Sequence, residues 1–103
     1  MPKQKKFPPI HPGAILADEL EEIGVSMNQL AKALHLPSNR ISAIVKGTRG
    51  ITGETALRLG RYFGTSSEMW VNLQARYDLE MARDYFEATV LKEVKPREKE
   101  AAA

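Results

Sequence analysis

The side chains with the most specific chemistry lie between Ser38 and Arg49. Asn39 carries a donor and an acceptor in one plane, the pairing that adenine presents in the major groove. Arg40 is a planar fork suited to guanine or to a phosphate. Ser38, at the amino end of its helix, suits bases or phosphate alike. Ser42 and Ala43 continue the same outward face, where Ala43 has only a methyl to offer, fit for a thymine methyl. Lys46, Thr48 and Arg49 follow and suit phosphate contacts. Asn28, in the first turn of the preceding helix, can donate to phosphate through its side chain or backbone. The plainer alternative is a solvated polar surface; the pattern of the flanking residues favours contact with nucleic acid.

Other chemistries find little support. His35 has no carboxylate nearby at metal-ligand spacing, and His11 is far off in sequence, so a metal or catalytic role is not expected. With no cysteine there is neither a disulfide framework nor a thiolate site, which suits a reducing cytoplasm. Asp18, Glu19, Glu21 and Glu22 cluster on one helix beside an intact apolar stripe. They are expected to form a solvated outer face, with a basic protein partner as a further use. No Ser/His/Asp set, phosphate-binding glycine loop or zinc spacing is present. The expectation is a binding protein, with no cofactor, no metal and no enzymatic activity.

The polar segment must be held at a fixed angle, and its neighbours are of the types that do this. In MNQLAKALHLPSNRISAIVK, residues 27–46, Leu30, Leu34, Leu36, Ile41 and Ile44 are apolar where two crossing helices would lock. Ala31 is small where they approach closely. Two short helices joined by three or four residues are the helix-turn-helix geometry, which lays its second helix in a groove ~12 Å wide. His35 stands where a glycine is usual, and histidine is among the residues that tolerate a positive φ.

Further helices frame this unit. The first is expected over 12–23, with Ile15, Leu16, Leu20 and Ile23 on one face and Gly24 as its stop. The second starts at Ser26, with Ser26 and Gln29 at capping-box spacing and Val25 and Leu30 as a hydrophobic staple, and ends near Leu34. The third spans 38–46 between Pro37 and Gly47. The fourth spans 53–63 between Thr52 and Gly64. The fifth begins at Thr65, where Thr65 and Glu68 have capping-box spacing, and runs to about Arg83. Trp70, Leu73, Tyr77 and Met81 form a stripe on it, assigned to dimerisation and equally compatible with a core. Residues 84–94 fit either a continued helix or a short strand through Thr89, Val90 and Leu91. The fold class is therefore all-α, five helices with extended tails.

A chain of 103 residues makes one domain. The expected division is a flexible basic arm over 1–9, a DNA-binding and dimerisation domain over 10–83, and a partly disordered extension over 84–103. Lys3, Lys5 and Lys6 in the arm suit phosphate or minor-groove contact and equally a disordered solubilising tail. Residues 32–61 hold six basic side chains against one acid, net +5, whereas residues 65–103 carry a net −2. A cationic middle beside an acidic end points to a polyanion partner. No apolar run reaches the ~18 residues of a membrane span, and the amino end does not read as a secretory signal.

IHPGAIL, the helix-turn-helix, the G-x-x-x-I-T-x-x-x-A-L-R-L segment and the F-G-T-S-x-x-x-W-x-N-L-Q segment together resemble the HigA-type antitoxins. These are a branch of the lambda-repressor-like (XRE) helix-turn-helix class, and the likeness covers residues 10–82. It implies a homodimer that represses its own operon at a palindromic operator and binds a HigB-like toxin, an RNase that cleaves mRNA on the ribosome. It places the base readers at Ser38, Asn39, Arg40 and Ala43. Ala43 departs from the longer polar residue common in the wider class. The alternative is a stand-alone regulator of the same class without a toxin.

Overall fold

The computed structural model describes residues 8–98, which form five α-helices and, within that range, no strand. Residues 1–7 of the basic arm, with Lys3, Lys5 and Lys6, and the last five residues lie outside the described residues. Helix α1 (Pro12–Ile23) opens on His11, whose Nδ1 accepts the Gly13 N–H at 2.8 Å. Helix α2 (Met27–Leu34) has the full capping box, Gln29 N–H to Ser26 Oγ at 3.0 Å and Ser26 N–H to Gln29 Oε1 at 2.8 Å. Helix α3 (Ser38–Lys46) stops at Gly47 and α4 (Gly53–Phe63) at Gly64, both left-handed.

Helix α5 (Ser67–Glu93) departs from expectation at both ends. Its cap is Ser66, which accepts from Met69 N–H at 3.0 Å. Thr65 instead accepts from the Trp70 indole N–H at 3.0 Å: a buried indole needs an acceptor, and Thr65 supplies it. At the other end the helix continues unbroken through residues 84–93. Its 27 residues make a rod of about 40 Å.

The core gathers residues from all five helices: Leu16 and Leu20, Leu30, Ala31 and Leu34, Ile41 and Ile44, Ala56 and Leu59, and Trp70, with Ile51 from the α3–α4 link. Val25, Leu36, Val45, Phe63 and Leu73 pack around it. Ile23, expected on the inner face of α1, is exposed instead, because the helix unwinds into Gly24 beside it. Helix α1 presses on α3 so closely that a Cβ at Gly13 would land on the Ile44 carbonyl oxygen. Glycine there lets the backbone of α1 brace α3 directly.

The face of α5 bearing Trp70, Leu73, Tyr77 and Met81 is turned toward the body of its own chain. Trp70 is only 1 % exposed and lies in the core, so it cannot meet a second subunit. The other three are half-buried; Leu73 packs on the core and Tyr77 meets the His11 ring edge-on at 4.8 Å. Leu79, nine residues beyond Trp70, falls on the opposite side of a helix with 3.6 residues per turn. There Leu79, Phe86 and Val90 are all exposed. Among the described residues no helix is long and apolar enough to cross a membrane.

Candidate nucleic-acid interface

Three residues, 35–37, join α2 to α3. His35 takes the left-handed conformation, φ 58° and ψ 44°, the conformation the sequence demands of it. Its N–H returns to the Lys32 carbonyl and that of Leu36 to the Ala31 carbonyl, closing α2. Arg58 NH1, reaching over from α4, donates to the Leu34 carbonyl at 2.9 Å. The turn is thus fastened by backbone bonds and by one guanidinium from outside the motif.

Ala31, Ile41 and Ile44 are buried at the α2–α3 crossing, so the opposite face of α3 is left outward. Asn39 and Lys46 are exposed there, with Ser42 and Ala43 half-exposed between them. Ser38 is also exposed. Pro37 provides no side-chain cap for α3, whereas His11, Ser26, Thr52 and Ser66 each cap theirs. The Arg40 N–H goes to the Pro37 carbonyl at 3.1 Å, so the Ser38 and Asn39 amides are the ones left to an acceptor from outside, and the helix dipole favours an anionic one.

Four expected contact residues are placed differently from one another. Arg49 is exposed beyond the carboxyl end of α3, and Asn28 is exposed on α2; both remain available. Thr48, although exposed, donates its hydroxyl to the Ala43 carbonyl at 3.2 Å, and its N–H goes to the same oxygen at 3.0 Å. Thr48 therefore secures the end of α3 and has no proton left for a phosphate. Arg40 lies on the flank facing α4, its NH1 3.9 Å from Glu54 Oε1.

Sequence reasoning missed the residues that hold this surface from behind. His11 caps α1 and abuts both Gly47 and Tyr77. Burial lowers its pKa below the ordinary 6.5, with the nearby Asp78 carboxylate partly opposing. Gln74 on α5 accepts the Ile51 N–H at 2.7 Å and donates to Asp78 at 3.0 Å, tying the α3–α4 link to α5. Glu54 and Arg58 pair across one turn of α4, a spacing visible in the sequence; their reach to Arg40 and Leu34 is not. Among the described residues no group of His, Asp or Glu is arranged to hold a metal.

Residues 16–70 match the model of the helix-turn-helix family. Virulence-associated protein I of Dichelobacter nodosus is 52 % identical over 80 residues, 77 % of this chain and 74 % of that protein. A solved addiction module antidote protein of the HigA family from Coxiella burnetii superposes with a TM-score of 0.86 at 51 % identity, over 88 % of this chain and all of that one. The Pseudomonas aeruginosa antitoxin HigA, solved with the higBA promoter, gives a TM-score of 0.83 at 44 % identity, over 85 % and 97 % of the two chains.

Proposed function

Because the chain belongs to the helix-turn-helix family and, within it, to the HigA antitoxins, we propose that it is a dimeric autorepressor that also neutralises a HigB-like mRNA-cleaving toxin. The observation that carries the DNA-binding half is α3 itself. Its apolar side is sunk in the core, while its uncapped amino end, Asn39 and Lys46 stand outward. The relative solved with promoter DNA supports the same use of the helix here. Asn39 reads a base; Ser38, Ser42 and Ala43 flank it; Lys46, Arg49 and Asn28 hold phosphates.

Pairing is assigned to the outward face of α5. Leu79, Phe86 and Val90 are 52 %, 60 % and 48 % exposed, an apolar stripe that a lone chain leaves in water. Arg83 and Glu87 border it, opposite charges that a two-fold axis can bring face to face. Two copies of α3 would then meet half-sites of a palindrome about one helical turn, ~34 Å, apart. Helix α1 carries four acids and no basic residue, which suits a basic toxin.

The test is titration of a fluorescent duplex from the gene's own promoter, with a scrambled duplex as control, and co-expression with whatever small open reading frame adjoins the gene. Selective retention of the promoter, and co-purification of the neighbour, are expected. Equal binding to both duplexes would overturn the repressor, and a neighbour that never co-purifies would leave the stand-alone regulator in its place.

A further inference from the structure

Arg40 is the charged residue of α3 that the chain itself engages. Its NH1 stands 3.9 Å from Glu54 Oε1, within ion-pair range but too long for a hydrogen bond. Its Nε is buried and has no partner among the described residues. Glu54 is meanwhile committed elsewhere, its Oε2 accepting from Arg58 Nε at 3.2 Å and from Arg58 NH2 at 2.9 Å. Arg58 is itself fixed by its bond to the Leu34 carbonyl. The carboxylate is thus held in place by Arg58, while Arg40 receives its attraction without a directed bond.

We propose that Glu54 is a specificity-determining counter-ion, which restrains Arg40 on loosely fitting DNA and yields it to a backbone phosphate only where α3 seats fully. The proposal rests on the DNA-binding role given above. A partly exposed pair at this distance is weakly held. A phosphate offers Arg40 two directed, charge-assisted bonds in exchange. The exchange is favourable only when a phosphate sits squarely at the α3–α4 flank. In a complex that sits off the groove floor the nearest phosphate lies too far to draw Arg40 from Glu54, although an unrestrained side chain could still swing out to it. Glu54 acts through Arg40 and is a positioning residue. Without it, Arg40 would be free to grip any duplex, and the penalty would fall on selectivity.

The test compares wild type, Glu54→Gln, Arg40→Gln and the double variant, by fluorescence anisotropy on operator and scrambled duplexes across a potassium chloride series. Glutamine keeps the shape of the side chain and an oxygen for Arg58. In Glu54→Gln, affinity for the scrambled duplex is expected to rise roughly fivefold per subunit at 0.15 M salt. The slope of log K against log salt should steepen by about one per subunit, the signature of one added phosphate contact. Operator affinity should rise less, and both gains should vanish in the Arg40→Gln background. A gain that persists there would overturn the proposal, because Glu54 would then be repelling DNA on its own account. An unchanged slope would overturn it too, as would weaker binding with a lower melting temperature, which would make Glu54 a brace between helices. Glu54→Asp, which withdraws the carboxylate by one methylene, should move the slope the same way by less, and covers the case in which Glu54→Gln does not fold. Wild type failing to prefer its operator would overturn the repressor role itself, a result separate from all of these.

Discussion

Replacing Gly13 by alanine tests the contact on which the position of α3 depends. Helix propensity alone favours alanine, by up to ~1 kcal/mol, so a surface glycine would be improved by the change. Here the added Cβ falls on the Ile44 carbonyl oxygen and within 3.1 Å of His11 Nδ1. Neither neighbour can swing away: one is backbone of α3, and the other is held by its bond to the Gly13 N–H. Helix α1 must retreat from α3 until a methyl fits, which loosens Leu16 and Leu20 against Ile41 and Ile44. Forcing an extra methyl into a packed contact costs ~1–3 kcal/mol, and disturbing the His11 cap adds ~0.5–2 kcal/mol. Set against the propensity gain, the net loss centres on about 2 kcal/mol within a range of ~0.5–4 kcal/mol, and 2 kcal/mol is roughly 8–16 °C in melting temperature for a domain of this size. Urea unfolding monitored by far-UV circular dichroism measures the loss directly. Operator affinity should fall as well, since α3 moves with its support. An alanine variant as stable as wild type, or more so, would refute the close approach of α1 to α3.

Asn39→Ala should weaken operator binding by ~1–3 kcal/mol per half-site with an unchanged melting temperature, as read by anisotropy and calorimetry together. Lys46→Ala or Arg49→Ala should instead weaken operator and scrambled duplexes alike and reduce the salt slope by about one per subunit. His11 should make stability sensitive to acid. Its folded-state pKa lies below the ordinary 6.5, so its contribution is complete above that value and is lost as pH falls through the lowered one. Protonation also removes the Nδ1 lone pair that caps α1. Urea midpoints should be flat from pH 8 to 7 and decline below about 6.5, with that part of the decline absent in His11→Ser. Phe86→Glu should loosen the dimer at least ~100-fold in sedimentation equilibrium, from the lost burial of two phenyl rings, while the helical signal stays.

The first four helices were legible residue by residue because their ends are local chemistry. Gly24, Gly47 and Gly64 stop helices through their own φ, and Ser26 with Gln29 forms a closed pair within four residues. His35 belongs with them, its left-handed turn readable from its place between two apolar runs. Thr65 and Ser66 show where that legibility ends. Either hydroxyl could cap α5, and the choice fell to Ser66 once the buried Trp70 indole claimed Thr65. The reach of α5 to Glu93 was likewise undecided, since residues 84–94 fit helix and strand alike.

Periodicity told which residues share a face, and so it grouped Trp70 with Leu73, Tyr77 and Met81, and Asn39 with Ala43 and Lys46. It carried no information about what each face meets. Trp70 went to the core and Leu79, Phe86 and Val90 to the outside because α5 lies across α4 and α1, a packing choice made by residues far along the chain. Arg40 lies beside Glu54 for the same kind of reason. Side-chain spacing is a property of the chain, whereas charge partners, burial and the direction of a helix face arise only when separate helices are brought to a common core.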